Sequence, residues 1–224
     1  MFVAGLAHEL RTPLAVLKGR LHALEDGVID PASGECGRLL EQVDRLLRIT
    51  DGLTTLAQAY GGELLLDRRS VDLSLIVAHA LSETHAAANA SAIGLQAPHE
   101  AIMLSCDPAR MSQALGALIR FALLHVPLGS SLAVRWSASS DEAVLKLHCA
   151  NWTVGRDEEN NLYVPIWEAG NGAPDNRPTS NIDAALAAAL ISAHGGNLEI
   201  VDEPSVQRRS IVARLPRKGS STLS

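Results

Sequence analysis

A short stretch near the amino terminus, Ala7-His8-Glu9-Leu10-Arg11-Thr12-Pro13, carries side chains that together could handle a phosphoryl group. In a helix, His8 and Thr12 lie one turn apart on one face, with Glu9 beside His8. A neutral imidazole accepts a phosphoryl group at one nitrogen when a carboxylate draws the proton from the other, and Glu9 is placed to be that base. Thr12 could hold a water for the reverse, hydrolytic direction. The simpler alternative is a surface histidine with an incidental carboxylate neighbour.

Two helices joined by a tight turn are predicted to present this stretch. The first has apolar residues at three-then-four spacing, at Val3, Leu6, Leu10, Pro13, Leu17, Leu24 and Val28. This stripe leaves His8 on the exposed side. The second has a heptad seam at Leu39, Val43, Leu46, Thr50, Leu53, Ala57 and Tyr60. The segment 26–34, rich in helix breakers, predicts a hairpin turn between them. Pairing two such hairpins into a four-helix bundle would bury both seams, so the pattern predicts a homodimer.

Residues 70–216 alternate helical and strand patterns, which predicts an α+β arrangement of helices on a mixed sheet. Helices are predicted over Val71–Ala90, from Pro108 to about Leu124 with Asp107 as the N-cap, and through an alanine-rich stretch that ends at His194. Strands are predicted at Ile102–Ser105, Leu132–Ala138, Ala143–Ala150, Leu198–Val201 and Ser210–Leu215.

The composition excludes several classes of protein. Of 224 residues, 19 are Lys or Arg and 25 are Asp or Glu, a formal charge of −6, and no basic block points to nucleic acid. The three cysteines are too few and too far apart for a disulfide framework or a cysteine-rich metal site, and they suit a reducing compartment. The longest largely apolar run, Ala184–Ala193, is too short to cross a bilayer. We therefore expect a cytoplasmic protein or the cytoplasmic part of a membrane-anchored sensor, with no metal site.

The string around His8, inside a heptad hairpin, resembles the H-box of the sensor histidine kinases of two-component systems. Four further stretches resemble the family's catalytic domain, which is an α/β sandwich. They are Asp107-Pro108-Ala109-Arg110, His125-Val126-Pro127, Ala193-His194-Gly195-Gly196 and Ala213-Arg214-Leu215-Pro216. The resemblance implies a dimerisation and phosphotransfer hairpin (1–62), a catalytic ATP-binding domain (63–218) and a short tail (219–224), which we expect to be disordered. It also implies that His8 exchanges a phosphoryl group with an aspartate of a response-regulator receiver domain.

The resemblance weakens at the expected ATP site. Where the family has the Mg²⁺-binding asparagine, this chain has Phe121, and where it has the lid glycines, Thr179-Ser-Asn-Ile-Asp-Ala184 contains none. Asp183 would stand where a helix N-terminus should meet phosphate, and its carboxylate would repel a triphosphate. In the adenine-binding box only Asn151 and Gly155 remain as candidate contacts. ATP and Mg²⁺ are therefore what the family implies, while most of their binding residues are replaced.

Three functions follow from these residues. The first is phosphotransfer through His8 or phosphatase activity on a response regulator, with Glu9 and Thr12 taking part and with phosphate supplied by another histidine kinase or by the regulator itself. The second is a pseudokinase scaffold without chemistry. The third is a working ATP-dependent kinase that binds nucleotide through substituted contacts. The presence of both Glu9 and Thr12 at helical spacing favours the first function over the scaffold. The presence of Phe121 and Asp183 at the expected ATP site disfavours the third.

Overall fold

A computed structural model describes residues 2–90, 94–96, 101–149, 182–203 and 208–217 of the chain. Within these ranges the side chains of residues 2–9, 32, 86–87, 90, 94–96, 202–203 and 208–209 are not described. Every statement below concerns this part of the chain.

The amino-terminal part is the predicted helical hairpin. Helix α1 runs over Phe2–Glu25 and continues through Pro13. A single 3₁₀ turn, Pro31–Ser33, precedes helix α2, Glu35–Gly61. Helix α2 ends at Gly62, whose positive φ of 71° is a conformation that glycine adopts without strain.

An ion pair of a buried carboxylate joins the two hairpin helices next to the turn between them. The Glu35 carboxylate is fully buried and accepts hydrogen bonds from Arg20 of α1 at 2.6 Å and from Arg38 at 3.1 Å. These bonds, that to Arg20 above all, lower the pKa of Glu35 although its burial opposes the shift. The pair fixes where the end of α1 meets the start of α2.

The second part combines three helices with two sheets. Its strands are β1 (Arg69–Asp72), β2 (Gly94–Gln96), β3 (Met103–Cys106), β4 (Ser131–Ala138), β5 (Glu142–Cys149), β6 (Asn197–Glu203) and β7 (Arg208–Pro216). Its helices are α3 (Leu73–Ala90), α4 (Pro108–His125) and α5 (Ile182–Ala193). Strands β1 and β3 form an antiparallel pair. The five-stranded sheet has the order β2-β4-β5-β7-β6, with β2 parallel to β4 and the other pairs antiparallel.

The main core lies between this sheet and the helices. Alternate residues of β5 are buried, and Leu145 and Leu147 pack in one cluster with Leu118 of α4, Leu190 of α5 and Ile211 of β7. One covered face explains the loose alternation of polar and apolar residues in these strands. The architecture confirms the predicted mixed α+β fold, a hairpin followed by an α/β sandwich.

The start of α3 differs from the sequence prediction. Val71 and Asp72 belong to β1, and the helix begins at Leu73. The Asp72 carboxylate accepts the Ser74 N–H at 2.9 Å, so Asp72 caps the helix from outside. The short strands β1 and β2 were not predicted, and two of the four residues of β1, Val71 and Asp72, had been assigned to the helix that follows. The predicted strand end at Ala150 and the tail 219–224 lie outside the described residues.

The hairpin packs against the second part through α2. Ile49 and Leu56 are buried and belong to the same core cluster as the sheet. Gly52 lies between them, and a Cβ there would stand 3.4 Å from both Ile182 and Leu186 of α5. This face was not predicted, because it lies beside the heptad seam and is completed by a glycine and a threonine.

Candidate functional site

The phospho-acceptor stretch lies on α1. The backbone at His8 and Glu9 is helical, while their side chains lie outside the described part of the structure. Leu10 is half-buried and Pro13 is buried, whereas Thr12 is exposed. The predicted inward stripe is therefore present at Leu10 and Pro13. His8 precedes Thr12 by one helical turn, and the exposure of its ring stays a prediction.

A second group of charged residues surrounds the N-terminus of α5. Asp183 lies in the first turn of this helix. Its Oδ1 accepts two hydrogen bonds from the Arg120 guanidinium of α4, from Nε at 3.1 Å and from Nη2 at 2.8 Å. The position favours a negative charge, because the first N–H groups of a helix have no partner within it. Here the charge comes from the chain's own carboxylate.

Arg48 of α2 also faces this ion pair. Its pKa is lowered, first by burial and then by the positive charge of Arg120, while Asp183 opposes the shift. Residues from α2, α4 and α5 thus share one electrostatic environment. The carboxylate of Asp183 partly offsets two neighbouring guanidinium groups.

Phe121, which follows Arg120 in α4, is part of the hydrophobic core. Its side chain is only 4% exposed. Its ring lies 4.6 Å from the ring of His125, at an interplanar angle of 56°. A phenyl ring has no atom that can ligate Mg²⁺. Neither Phe121 nor Asp183 therefore fits the role that the resemblance assigns to its position, and Asn151 and Gly155 lie outside the described residues.

A polar junction that sequence reasoning missed joins the start of α4 to the end of α5. Asp107 caps α4, because its Oδ1 accepts the N–H groups of Ala109 and Arg110 at 3.0 Å each. The N–H of Asp107 donates to His194 Nε2 at 3.1 Å, and Nδ1 of the same ring lies 2.7 Å from the carbonyl oxygen of Leu190. The Asp107 N–H requires an acceptor at Nε2, so the proton of the neutral ring is on Nδ1.

The segment that follows the hairpin also reaches this junction. Asp67 donates its N–H to Asp107 Oδ2 at 3.0 Å, and Arg68 Nη2 donates to the Ala193 carbonyl at 3.1 Å. His194 is buried, and this burial, with the charge of Arg68, lowers its pKa. The motif Ala193-His194-Gly195-Gly196 could have pointed to this site, yet in the sequence it was used only as the end of a helix and as one of the motifs of the family resemblance.

An open groove of about 390 Å³ lies where the end of α2 meets α5 and β6. It is lined by Ala59, Tyr60, Ala185, Ala188, Ala189, Ser192, Ala193, Gly196, Asn197 and Leu198. Apart from Tyr60 these side chains do not titrate, so the groove has no evident catalytic chemistry.

Within the described ranges, no group of three or more His, Cys, Asp or Glu residues is arranged to hold a metal ion. No helix in the same ranges has the length and hydropathy of a membrane span.

Comparison with known proteins agrees with this arrangement. Residues 1–61 match the His Kinase A (phospho-acceptor) domain family. The chain is 25% identical over 220 residues to the probable sensor histidine kinase TcrY of Mycobacterium tuberculosis, covering 97% of this chain and 46% of TcrY. It thus spans about half the length of that relative.

Two solved structures show the same fold. The histidine kinase AdeS of Acinetobacter baumannii superposes with a TM-score of 0.69 at 23% identity, covering 94% of this chain and 98% of AdeS. The histidine kinase ThkA, solved in complex with the response regulator TrrA, gives a TM-score of 0.64 at 12% identity, covering 98% of this chain and 62% of ThkA. The chain is accordingly similar to the two-component sensor histidine kinases: residues 1–61 match the His Kinase A domain family, and the second part has the fold of the corresponding part of solved histidine kinases.

Proposed function

We propose that this protein exchanges a phosphoryl group between His8 and an aspartate of a response-regulator receiver domain, or removes that group as a phosphatase, while its own ATP binding is impaired. The hairpin 1–62 would carry this chemistry. The domain 63–218, derived from an ATP-binding domain, would hold the hairpin, and residues 219–224 would be a tail.

The single observation that supports the impaired ATP binding in this proposal is the ion pair of Asp183 with Arg120 at the N-terminus of α5. A triphosphate bound there would have to displace a carboxylate that already accepts two hydrogen bonds from Arg120. It would also approach the negative charge of Asp183 itself. The buried ring of Phe121 provides no ligand for Mg²⁺, which would raise the barrier to phosphoryl transfer from ATP. Removing one electrostatic contact to a transferring group typically raises that barrier by about 3–4 kcal/mol.

The phosphoryl chemistry would need only the hairpin and the regulator. In transfer, the free ring nitrogen of His8 attacks the phosphorus of the aspartyl phosphate, and the P–O bond to the regulator's carboxylate breaks. Glu9 holds the proton on the other ring nitrogen, which keeps the attacking nitrogen basic. In hydrolysis, water held by Thr12 attacks the phosphorus instead, and Glu9 accepts its proton. The exposure of Thr12 supports this role, because a regulator must reach it.

Three kinds of partner fit this function. A response-regulator receiver domain would supply or accept phosphate, as the complex of ThkA with TrrA illustrates for that kinase. A second copy of the chain would complete a four-helix bundle through the hairpin. Another histidine kinase would charge the regulator or His8. Nucleic acid is not expected as a partner.

The experiment offers the protein two phosphate sources. The first is γ-³²P-labelled Mg·ATP, and the second is a receiver domain charged with ³²P from acetyl phosphate. We expect no label on wild-type protein from ATP. We expect the labelled receiver domain to lose its label faster with the protein than without it. The rate of this added loss should be at least about tenfold lower with Thr12→Ala. Thr54→Ala, another exposed hairpin threonine, is the matched control and should behave as wild type.

The outcomes separate the three functions. Label on His8 from ATP, absent in His8→Ala, would support a working kinase and contradict impaired ATP binding. Receiver dephosphorylation that needs Thr12 supports the phosphatase, and label that moves from the receiver to His8 supports transfer. A protein that binds the receiver without either reaction is the scaffold, and the proposal is then wrong.

The nucleotide part is tested separately by equilibrium binding of a fluorescent ATP analogue, with and without Mg²⁺. We expect no saturable binding to the wild type. The double variant Phe121→Asn with Asp183→Gly, which replaces both side chains that oppose nucleotide binding, should bind more tightly. Tight Mg²⁺-dependent binding to the wild type would contradict the proposal.

A further inference from the structure

The junction between the two parts of the chain contains a buried histidine that the proposed phosphoryl chemistry does not use. His194 is 2% exposed, and both of its ring nitrogens are engaged. Nε2 accepts the N–H of Asp107, while Nδ1 donates to Leu190. The ring is therefore held in one neutral tautomer by two backbone groups from different helices.

The same few atoms provide the polar contacts of the connecting segment, residues 63–68, with the ends of helices α4 and α5. Asp67 donates its N–H to the Asp107 carboxylate, and Arg68 donates to the carbonyl of Ala193, the residue before His194. The segment is also held by the packing of Leu64 against the core and by the ion pair of Asp67 with Arg69 of β1. The two contacts that reach α4 and α5 lie at Asp107 and beside His194.

A proton on Nε2 would disturb both attachments. It would remove the acceptor that the Asp107 N–H now uses, since an imidazolium ring only donates. It would also place a positive charge near the Arg68 guanidinium, whose Nη1 is buried with no hydrogen-bond partner. A buried donor without a partner is already costly, and a second cation beside it adds repulsion.

The other charged groups at the junction do not cancel this effect. The Asp107 carboxylate would attract the imidazolium, but both of its oxygens are already used, Oδ1 by the cap of α4 and Oδ2 by Asp67. Rotating the Asp107 carboxylate toward His194 would break one of these hydrogen bonds. Asp67 is paired with Arg69, and the buried Cys106 thiol stays neutral because its pKa is raised to about 11.

We infer that His194 is a proton-operated latch, whose protonation releases Asp67 and Arg68 from the ends of α4 and α5. In the neutral state these two residues of the connecting segment are held at Asp107 and Ala193. In the protonated state the tie at Asp67 and Arg68 opens, while the sheet keeps its hydrogen bonds.

The test measures two properties of the full-length chain between pH 7.5 and pH 5. Ring ¹⁵N chemical shifts should show a neutral His194 with its proton on Nδ1 at pH 7.5, titrating below the ordinary range of histidine. Hydrogen exchange of single amides, corrected for intrinsic rates, should show protection of Asp67 and Asp107 falling about tenfold as His194 titrates. The amides of Leu145 and Leu147 in β5 should keep their protection.

Variants separate a latch from a merely structural histidine. His194→Gln can still accept from the Asp107 N–H but does not titrate, so its Asp67 protection should not depend on pH. Arg68→Gln should raise the titration midpoint of His194, because a repelling charge is gone. His79→Gln, at an exposed histidine of α3, is the matched control. Its Asp67 protection should depend on pH as it does in the wild type.

Three results would overturn the inference. One is loss of protection in β5 in parallel with Asp67, which is global unfolding. Another is pH-dependent release that persists in His194→Gln. The third needs no variant to fold, namely a wild-type His194 ring that titrates without any change at Asp67.

Discussion

The carboxylate of Asp183 contributes to the fold at a position where it opposes nucleotide binding. It lies in the first turn of α5, where a negative charge is favourable, and it holds the half-buried guanidinium of Arg120. At the level of the single residue, stability and ATP binding therefore make opposite demands on position 183.

Asp183→Asn should lower the free energy of unfolding by about 1–2 kcal/mol. The amide keeps the shape but loses the charge, and Arg120 is left partly buried with Arg48 as a like-charged neighbour. Urea denaturation at pH 7.5 measures the change, and Asp141→Asn in the exposed β4–β5 turn should shift it by less than about 0.5 kcal/mol. Equal stability of Asp183→Asn and wild type would show that the ion pair contributes nothing.

His194 gives the stability of the protein a pH dependence of known sign. Its pKa is lowered in the folded state from an ordinary 6.5, so the unfolded chain binds more protons between these two values. The contribution of His194 to the free energy of unfolding is therefore complete above about pH 6.5. It falls as the pH drops toward the lowered pKa, by at most about 1.4 kcal/mol per pH unit.

Urea titrations at pH 7.5, 6.5 and 5.5 measure this dependence, and the slope should disappear in His194→Gln. Glu35, Asp67 and Asp72, whose pKa values are lowered, act in a separate range. Their contributions are present above the ordinary carboxyl pKa and are lost only as the pH falls below about 4 to 4.5. A slope above pH 5.5 that survives in His194→Gln would assign it to another group.

At the level of the elements, the contact of α2 with α5 requires a small residue at position 52, which is glycine in this chain. A methyl group there would just touch Ile182 and Leu186 at 3.4 Å. We expect Gly52→Ala to stabilise the protein by about 0.5–1 kcal/mol, because alanine favours the helix. Gly52→Leu should destabilise it by about 1–3 kcal/mol, because the larger side chain forces the helices apart.

Gly37 offers a matched control in the same helix, since a Cβ there meets nothing within 4 Å. Gly37→Leu should leave stability equal to that of the wild type or slightly above it, as measured by the urea midpoint. If Gly52→Leu were as stable as Gly37→Leu, the α2–α5 contact would be too loose to position the hairpin.

The elements also mark the limit of what the sequence could predict. Both hairpin helices, α4 with its Asp107 cap and the long strands were predictable, because periodicity and capping are local properties. The buried face of α2 was not, because Gly52 and Thr55 interrupt its apolar pattern. Thr55 is buried there, and its hydroxyl group accepts hydrogen bonds from Arg110 and Gln113 of α4. These partners are more than fifty positions away in the sequence.

The candidate site divides in the same way. The spacing of His8, Glu9 and Thr12 follows from one helix and could be read directly. The meeting of Arg120 with Asp183, and of Asp107 with His194, depends on the packing of α4 against α5. Sequence spacing carries no information about that packing.

At the level of the whole molecule, the hairpin has two apolar faces, and the described part of the chain covers one of them. Ile49 and Leu56 are buried in the common core, whereas Leu40 and Leu47 on another side of α2 are 62% and 57% exposed. On α1, Leu14 and Leu21 are also exposed. These four leucines lie beside the seams that were predicted from the sequence, not in them. Each pair is seven residues apart, the repeat that a second pair of helices would cover.

Leu40→Lys combined with Leu47→Lys should therefore convert a homodimer into a monomer. Burying one leucine side chain contributes about 1.5–3 kcal/mol, and a twofold interface contains each leucine twice, so the dissociation constant should rise at least about a hundredfold. Sedimentation velocity over a concentration series measures it. Leu65→Lys is the control, because Leu65 is 90% exposed outside the helices and should leave the association unchanged. A wild-type chain that stays monomeric at high concentration would contradict the bundle, and these leucines would then face another protein.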